Sequence, residues 1–187
     1  IMSSIKRSRK LHLISIKDIA YIAVFIALIT ICSWISIPMP VPFTLQLLAV
    51  FLAVYLLGPI NSFITILLYL LMGIVGIPVF ASFKAGFSIF LSPTGGFLIG
   101  FLTIPLIYLP FYILNKRGIG YLVSMIIGLL LTYLIGSICF IYIYKAGQID
   151  LKDALLITVV PFIIPDISKL IIAFILGKKL KKFVNLE

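Results

Sequence analysis

Charge is scarce in this 187-residue chain: Asp, Glu, Lys and Arg make up 11% of it, only five residues are acidic, and there are one histidine, two cysteines and one tryptophan. An ordinary globular domain is about a quarter charged and roughly 45–50% apolar, whereas this chain is 63% hydrophobic, which excludes a soluble domain. At roughly 20 residues per spanning helix the length holds at most about seven spans, so a sizeable extramembrane domain has no room. The lone histidine, His12, lies in the basic N-terminal stretch, which rules out a multi-histidine metal site and a histidine-based triad among the spans. Cys32 and Cys139 sit in apolar runs without C-x-x-C or Cys/His spacing and read as small buried hydrophobes. No Glu falls within a span, and neither H-E-x-x-H nor G-x-S-x-G occurs. Gly177-Lys178-Lys179 lacks the upstream Gly and the hydroxyl residue of a phosphate-binding loop, so the chain is not expected to hydrolyse ATP. The reading is of a non-enzyme with no metal and no cofactor.

What charge there is has a pattern. The net value of +10 resembles a nucleic-acid signature until the positions are read. Eleven of the fifteen Lys and Arg fall in three clusters: Lys6, Arg7, Arg9, Lys10 and Lys17, then Lys116 and Arg117, then Lys178, Lys179, Lys181 and Lys182. Between Ile19 and Asn115 the sole charge is Lys84. A nucleic-acid face interleaves basic and aromatic residues on a polar surface; clusters flanking apolar runs are cytoplasmic anchors in a lipid bilayer instead. The chain is therefore expected in the cell membrane as a multi-pass protein. The first apolar run lacks a small-residue cleavage site and reads as a retained helix.

Six runs are predicted to span, at roughly 18–37, 43–57, 60–76, 95–115, 119–144 and 154–177, behind a basic cytoplasmic leader over 1–17, all within one membrane domain covering 1–187. The second and third are short, and only Gly58-Pro59 divides them, with Asn61 and Ser62 as candidate caps. Fusing them into one kinked span gives five crossings. With six spans, eleven positive charges lie inside and Lys84, Lys145 and Lys152 outside; five spans reduce that bias to eight against six. The expected fold is thus an all-α integral membrane protein with six transmembrane helices and both termini cytoplasmic.

Two outer connections are informative. Prolines at 38, 40 and 42 predict an extended, stiff segment, and residues 76–96 carry too many Gly and Pro for one regular helix. Irregular backbone at membrane depth is buried in protein or lines a cavity, so both segments are candidates for the roof and wall of an outward-opening site. Asp166 and Lys169 are the charged residues that must lie inside a span. Each costs roughly 2.5–3.5 kcal/mol there, and their i, i+3 spacing puts them on one helix face. Pro161 and Pro165 predict a helix interruption nearby. A carboxylate that only accepts and an ammonium that only donates suit a polar ligand with both N–H and C=O groups; the plainer alternative is a self-contained salt bridge. Ala20, Ala23 and Ala27 form a small-residue stripe on span one, for docking another helix or for packing within the chain. Gln46, after Thr44, is structural glue or a ligand contact, and Trp34 belongs to an interfacial belt or stacks on a ring in the site.

Several stretches in order resemble one family: Val41-Pro42-Phe43-Thr44-Leu45-Gln46, Leu57-Gly58-Pro59, Gly73-Ile74-Val75-Gly76-Ile77-Pro78-Val79-Phe80-Ala81, Ser92-Pro93-Thr94-Gly95-Gly96-Phe97-Leu98-Ile99-Gly100-Phe101, and Pro161-Phe162-Ile163-Ile164-Pro165-Asp166-Ile167-Ser168-Lys169. Together they are similar to the BioY family, the biotin-binding S components of energy-coupling factor vitamin transporters. The resemblance implies six helices, a site near the outer face, and biotin uptake driven by a separate transmembrane coupling protein with two cytoplasmic ATPases.

It also implies that Asp166 and Lys169 contact biotin, whose ureido ring offers two N–H donors and a carbonyl. Ser82 falls where a polar ligand contact is expected. Lys84 departs from a loop that is usually Gly-rich; it meets the biotin carboxylate or is an exposed outer-loop lysine. Ser92 and Pro165 stand where the family more often has Gly. The alanine stripe gains a role, since S components resemble one another in docking on the coupling protein through small residues of the first helix. The alternatives are an S component for another vitamin, or a non-transporting membrane assembly subunit.

Overall fold

The computed structural model describes residues 15–114 and 118–183. Lys6, Arg7, Arg9, Lys10, His12 and the Lys116-Arg117 pair lie outside the described residues. The chain is an all-α membrane protein, and its described residues contain five helical runs long and apolar enough to cross a bilayer: Ile16–Trp34, Gln46–Ile74, Gly95–Ile113, Ile119–Tyr144 and Leu151–Leu180.

Helix α1 (Ile16–Trp34) opens with a capping box in which the Ser15 hydroxyl accepts from the Asp18 N–H and the Asp18 carboxylate accepts from the Ser15 N–H. It stops at Trp34, three residues short of the expected end, because the Pro-rich segment takes over. Strands β1 (Ser36–Ile37) and β2 (Phe43–Thr44) pair antiparallel, Ser36 opposite Thr44, so the stiff Pro-rich segment is a small ribbon rather than a plain loop. That ribbon is the one departure from an all-helical fold among the described residues, and it delays the second helix from the expected residue 43 to Gln46.

The run α2 (Gln46–Ile74) is not a straight rod. Gly58 adopts φ 75°, ψ 178°, a conformation essentially confined to glycine, and Pro59 cannot continue the helix before it. The Gln46 side-chain N–H donates to the Tyr69 hydroxyl at 3.0 Å, whereas a continuous helix would hold residues 23 apart about 34 Å from each other. The chain therefore doubles back at Gly58, and segments 46–57 and 59–74 lie antiparallel. Asn61 and Ser62 do not cap the second segment as expected. The Asn61 amide donates to the Asp18 carboxylate at 3.0 Å, tying the turn to α1, and the Ser62 hydroxyl donates back to the Gly58 carbonyl. Residues 46–57 make a helix only about 18 Å long, but Val50, Phe51, Ala53 and Val54 are fully buried. Enclosed by protein, this segment need not match the thickness of the lipid.

Beyond the Gly76 segment come α3 (Gly95–Gly100), α4 (Thr103–Ile113), α5 (Ile119–Cys139), α6 (Leu151–Thr158) and α7 (Ile163–Leu180). Helices α3 and α5 approach closely through glycine: a Cβ on Gly100 would stand 2.8 Å from the Thr132 Cα, and one on Gly136 would collide with the Phe97 ring. The last run is interrupted as the prolines predict, a 3₁₀ turn over Val160–Phe162 separating α6 from α7. Pro161 has no N–H to continue α6.

Candidate functional site

A cavity of about 330 Å³ opens between the ribbon and the helices, a volume that suits a small-molecule site. Its roof is the ribbon, through Met39, Pro40, Val41, Pro42 and Thr44; its walls come from Phe97 and Phe101 of the α3 region, Leu129, Thr132 and Tyr133 of α5, and Asp166 and Lys169 of α7. The 3₁₀ interruption matters here. It restarts the helix at Ile163, which puts Asp166 in the first turn of α7, at the positive end of that helix's dipole.

Asp166 and Lys169 are both about 5% exposed. The Lys169 ammonium donates to Asp166 Oδ1 at 2.7 Å, and the Tyr133 hydroxyl donates to Oδ2, also at 2.7 Å. Each carboxylate oxygen thus has one protein donor and keeps lone-pair capacity for another. The Lys169 Nζ also stands 4.2 Å from the centre of the Phe43 ring, so the ribbon covers the ammonium with an aromatic face. The pair is electrically neutral as a unit and sits in a mainly apolar shell.

The Gly76 segment forms the adjoining wall and is held by a double anchor. The Val79 carbonyl accepts from the Ser33 hydroxyl at 2.6 Å and from the Tyr69 hydroxyl at 3.0 Å. Through Tyr69 the same chain of bonds reaches Gln46, which is 4% exposed and lines the cavity. One of its two side-chain N–H groups donates to Tyr69, and the amide oxygen is left as an acceptor. Gln46 thus bonds to a neighbouring segment, as a polar residue in a span is expected to, and also lines the cavity.

Of the expected site residues the cavity brings together Asp166, Lys169, Gln46 and Lys84. Trp34 and Ser82 are not in its lining. The Trp34 indole N–H donates to the Pro78 carbonyl at 2.9 Å and its ring packs 4.8 Å from that of Phe83; Ser82 is exposed, with φ 57°, next to the lining residue Ala81. Ala20, Ala23 and Ala27 are exposed on α1, away from the cavity. Sequence reasoning missed Tyr133 and the position of Phe43 over Lys169. A signal for Tyr133 exists: Ser124, Gly128, Thr132 and Gly136 recur every four residues in an otherwise apolar helix and mark its inward face, which Tyr133 adjoins.

Comparison with known proteins yields a consistent picture. A family model described as the BioY family matches residues 5–186. A biotin transporter BioY of Thermotoga maritima is 37% identical over 160 residues, covering 85% of this chain and 92% of that protein. A probable biotin transporter BioY of Pyrococcus horikoshii is 39% identical over 166 residues, covering 88% and 96%. A solved structure of the S-component for biotin from an ECF-type ABC transporter aligns with a TM-score of 0.79 at 28% identity, over 89% of this chain and 91% of that one.

Proposed function

The chain belongs to the BioY family, and we propose that it is the S component of an energy-coupling factor transporter, capturing biotin at the outer face for uptake. The observation that carries the reading is the buried Asp166–Lys169–Tyr133 cluster in the wall of the cavity. Biotin's bicyclic head carries a urea, two N–H donors flanking one carbonyl. The free lone pairs of Asp166 and the amide oxygen of Gln46 suit the donors, while Lys169 retains N–H groups for the carbonyl. Phe97, Phe101 and Leu129 supply apolar surface for the rest of the ring system. The protein's part is capture; no bond is made or broken, and ATP hydrolysis belongs to partner subunits.

The topology we propose has six crossings in a single membrane domain, with both termini in the cytoplasm of a cell whose plasma membrane holds the protein. The fold-back at Gly58 supports six rather than five, since it makes two antiparallel helices of the second run. Orientation rests on charge. Lys178 lies nine residues beyond Lys169 on α7, about 13 Å further from the cavity, so the C-terminal lysines mark the cytoplasmic end and the cavity faces out. The partners are a transmembrane coupling protein and two cytoplasmic ATPases. The exposed face of Ala20, Ala23 and Ala27 offers the coupling protein a surface that another helix can approach closely.

Titration of detergent-purified protein with labelled biotin, in competition with a panel of other vitamins, tests the reading. Saturable biotin binding that the others fail to displace is expected. Binding of a different vitamin without biotin would make the chain an S component for that compound, and no binding by any of them would leave an assembly subunit.

A further inference from the structure

Lys84 stands apart from the other charges around the cavity. Among the described residues outside the two charges of the Asp166–Lys169 pair, it is the one charged residue that lines the cavity. Lys169 has its positive charge balanced at 2.7 Å by Asp166. Among the described residues Lys84 has no acidic partner within salt-bridge distance, and Asp150 and Asp153, at the start of α6, form no ion pair with it. Exposure separates the two lysines as well. Lys169 is buried in the wall, and Lys84 is exposed, as are the lining residues Met39 and Tyr144 at 42% and 46%.

The backbone that carries Lys84 is fixed. Its carbonyl accepts from the Phe80 N–H at 3.1 Å and its own N–H donates to Ala81 at 3.4 Å, closing a tight loop around the 3₁₀ turn Ala81–Phe83. Phe80 is 2% exposed and wedges against Gly73, where a Cβ would collide with its ring. Two residues on, the Gly86 N–H donates to the Gly73 carbonyl at 2.7 Å. An anchored loop thus holds an uncompensated ammonium at the exposed edge of a cavity whose buried charged pair is neutral overall. Lys145 adds to the same potential, its Nζ lying 5.3 Å from the centre of the Tyr144 ring.

We propose that Lys84 is a specificity residue that pairs with the carboxylate tail of the ligand, so that the site selects the free acid over neutral-tailed derivatives of the same head group. The inference rests on the biotin reading above and deepens it. With the urea held by Asp166, Lys169 and Gln46, the five-carbon acid chain runs outward along Met39 and Ala81 to the exposed edge. The carboxylate meets a cation there without leaving water completely, which avoids the cost of burying a second ion pair.

The test is equilibrium binding of biotin and of biotinamide to the detergent-purified full chain, as wild type, Lys84→Gln and Lys84→Arg. The wild type should prefer the acid by roughly three- to tenfold, the scale of a partly solvated charge-assisted contact, and the preference should shrink as salt is raised. Lys84→Gln should weaken biotin by that factor and leave biotinamide unchanged, the amide serving as the control for folding; Lys84→Arg should keep the preference. Equal effects of Lys84→Gln on both ligands, or on neither, overturn the role of Lys84 while the head-group site stands. Failure of the wild type to bind either ligand removes the biotin reading, and this inference with it.

Discussion

Asp166→Asn is the sharpest perturbation of the site, because the substitution changes charge and hydrogen bonding while keeping shape. In the wild type two donors converge on Asp166, the Lys169 ammonium and the Tyr133 hydroxyl, each at 2.7 Å. An asparagine has one acceptor oxygen and one donor group, so it serves one of these donors and turns an N–H towards the other or towards the ligand. The charge-assisted contact of the carboxylate with the urea is lost, worth about 1.5–3 kcal/mol, which corresponds to a loss of biotin affinity of roughly ten- to a hundredfold. Stability falls too, since an ammonium 5% exposed loses its counter-charge, a change that costs about 3–5 kcal/mol in buried pairs. Equilibrium dialysis with labelled biotin measures the first effect and thermal unfolding in detergent the second. The double variant Asp166→Asn, Lys169→Met removes the orphaned charge, so it should recover thermal stability without recovering binding. Affinity at the wild-type level in a folded Asp166→Asn protein would refute the reasoning, and the pair would then be a salt bridge and nothing more.

Three further outcomes are expected. Tyr133→Phe removes one donor from Asp166 and nothing from the ligand directly, so biotin affinity should fall by several-fold to about tenfold, less than for Asp166→Asn, with the fold intact by circular dichroism. Gly58→Ala should lower thermal stability by about 1–3 kcal/mol, since an added Cβ meets only the Tyr112 ring at 3.5 Å and the cost is in the backbone at φ 75°; a neutral result in a thermal melt would mean the turn relaxes. Ala23→Leu and Ala27→Leu on the exposed face of α1 should leave biotin binding by the isolated protein unchanged and reduce uptake by cells carrying the ATPase partners, a separation that a direct uptake assay reads.

The apolar runs and their breakers were legible because both have local causes. Hydropathy marks a span wherever the residues sit in space, and Pro161 ends α6 by lacking an N–H whatever surrounds it. Gly58-Pro59 belongs to the same class, and the fold-back it produces needed only the bond from Gln46 to Tyr69 to become evident. Asp166 and Lys169 stood out because a charge in a span is costly in any fold. Tyr133 and Phe43 did not, because their roles come from tertiary placement. Tyr133 is one of nine tyrosines in the chain and Phe43 one of fifteen phenylalanines, and nothing in their neighbours along the sequence says that one would reach from α5 to Asp166 on α7 or that the other would cover Lys169. The ribbon was legible only as an extended segment, since the pairing of Ser36 with Thr44 is a matter of how the three prolines bend the chain.

The disposition of charge explains how so apolar a protein can hold a polar ligand at membrane depth. An unpaired ion in the buried wall of the cavity would carry a desolvation cost that ligand contacts could not offset. Asp166 and Lys169 avoid it by neutralising each other at 2.7 Å, with Tyr133 and Phe43 occupying further sides of the pair. Such a pair has strong local dipoles and no net charge. It therefore favours a head group that is itself neutral and dense in donors and acceptors, and a urea is one, whereas an ionic head group would upset the balance and be rejected. A charged tail is expected to be tolerated only where water still reaches, beside the exposed Lys84. Selectivity in this arrangement comes from matching neutral to neutral in the depth and anion to cation at the surface, and the affinity of a ligand should depend on salt through its tail alone.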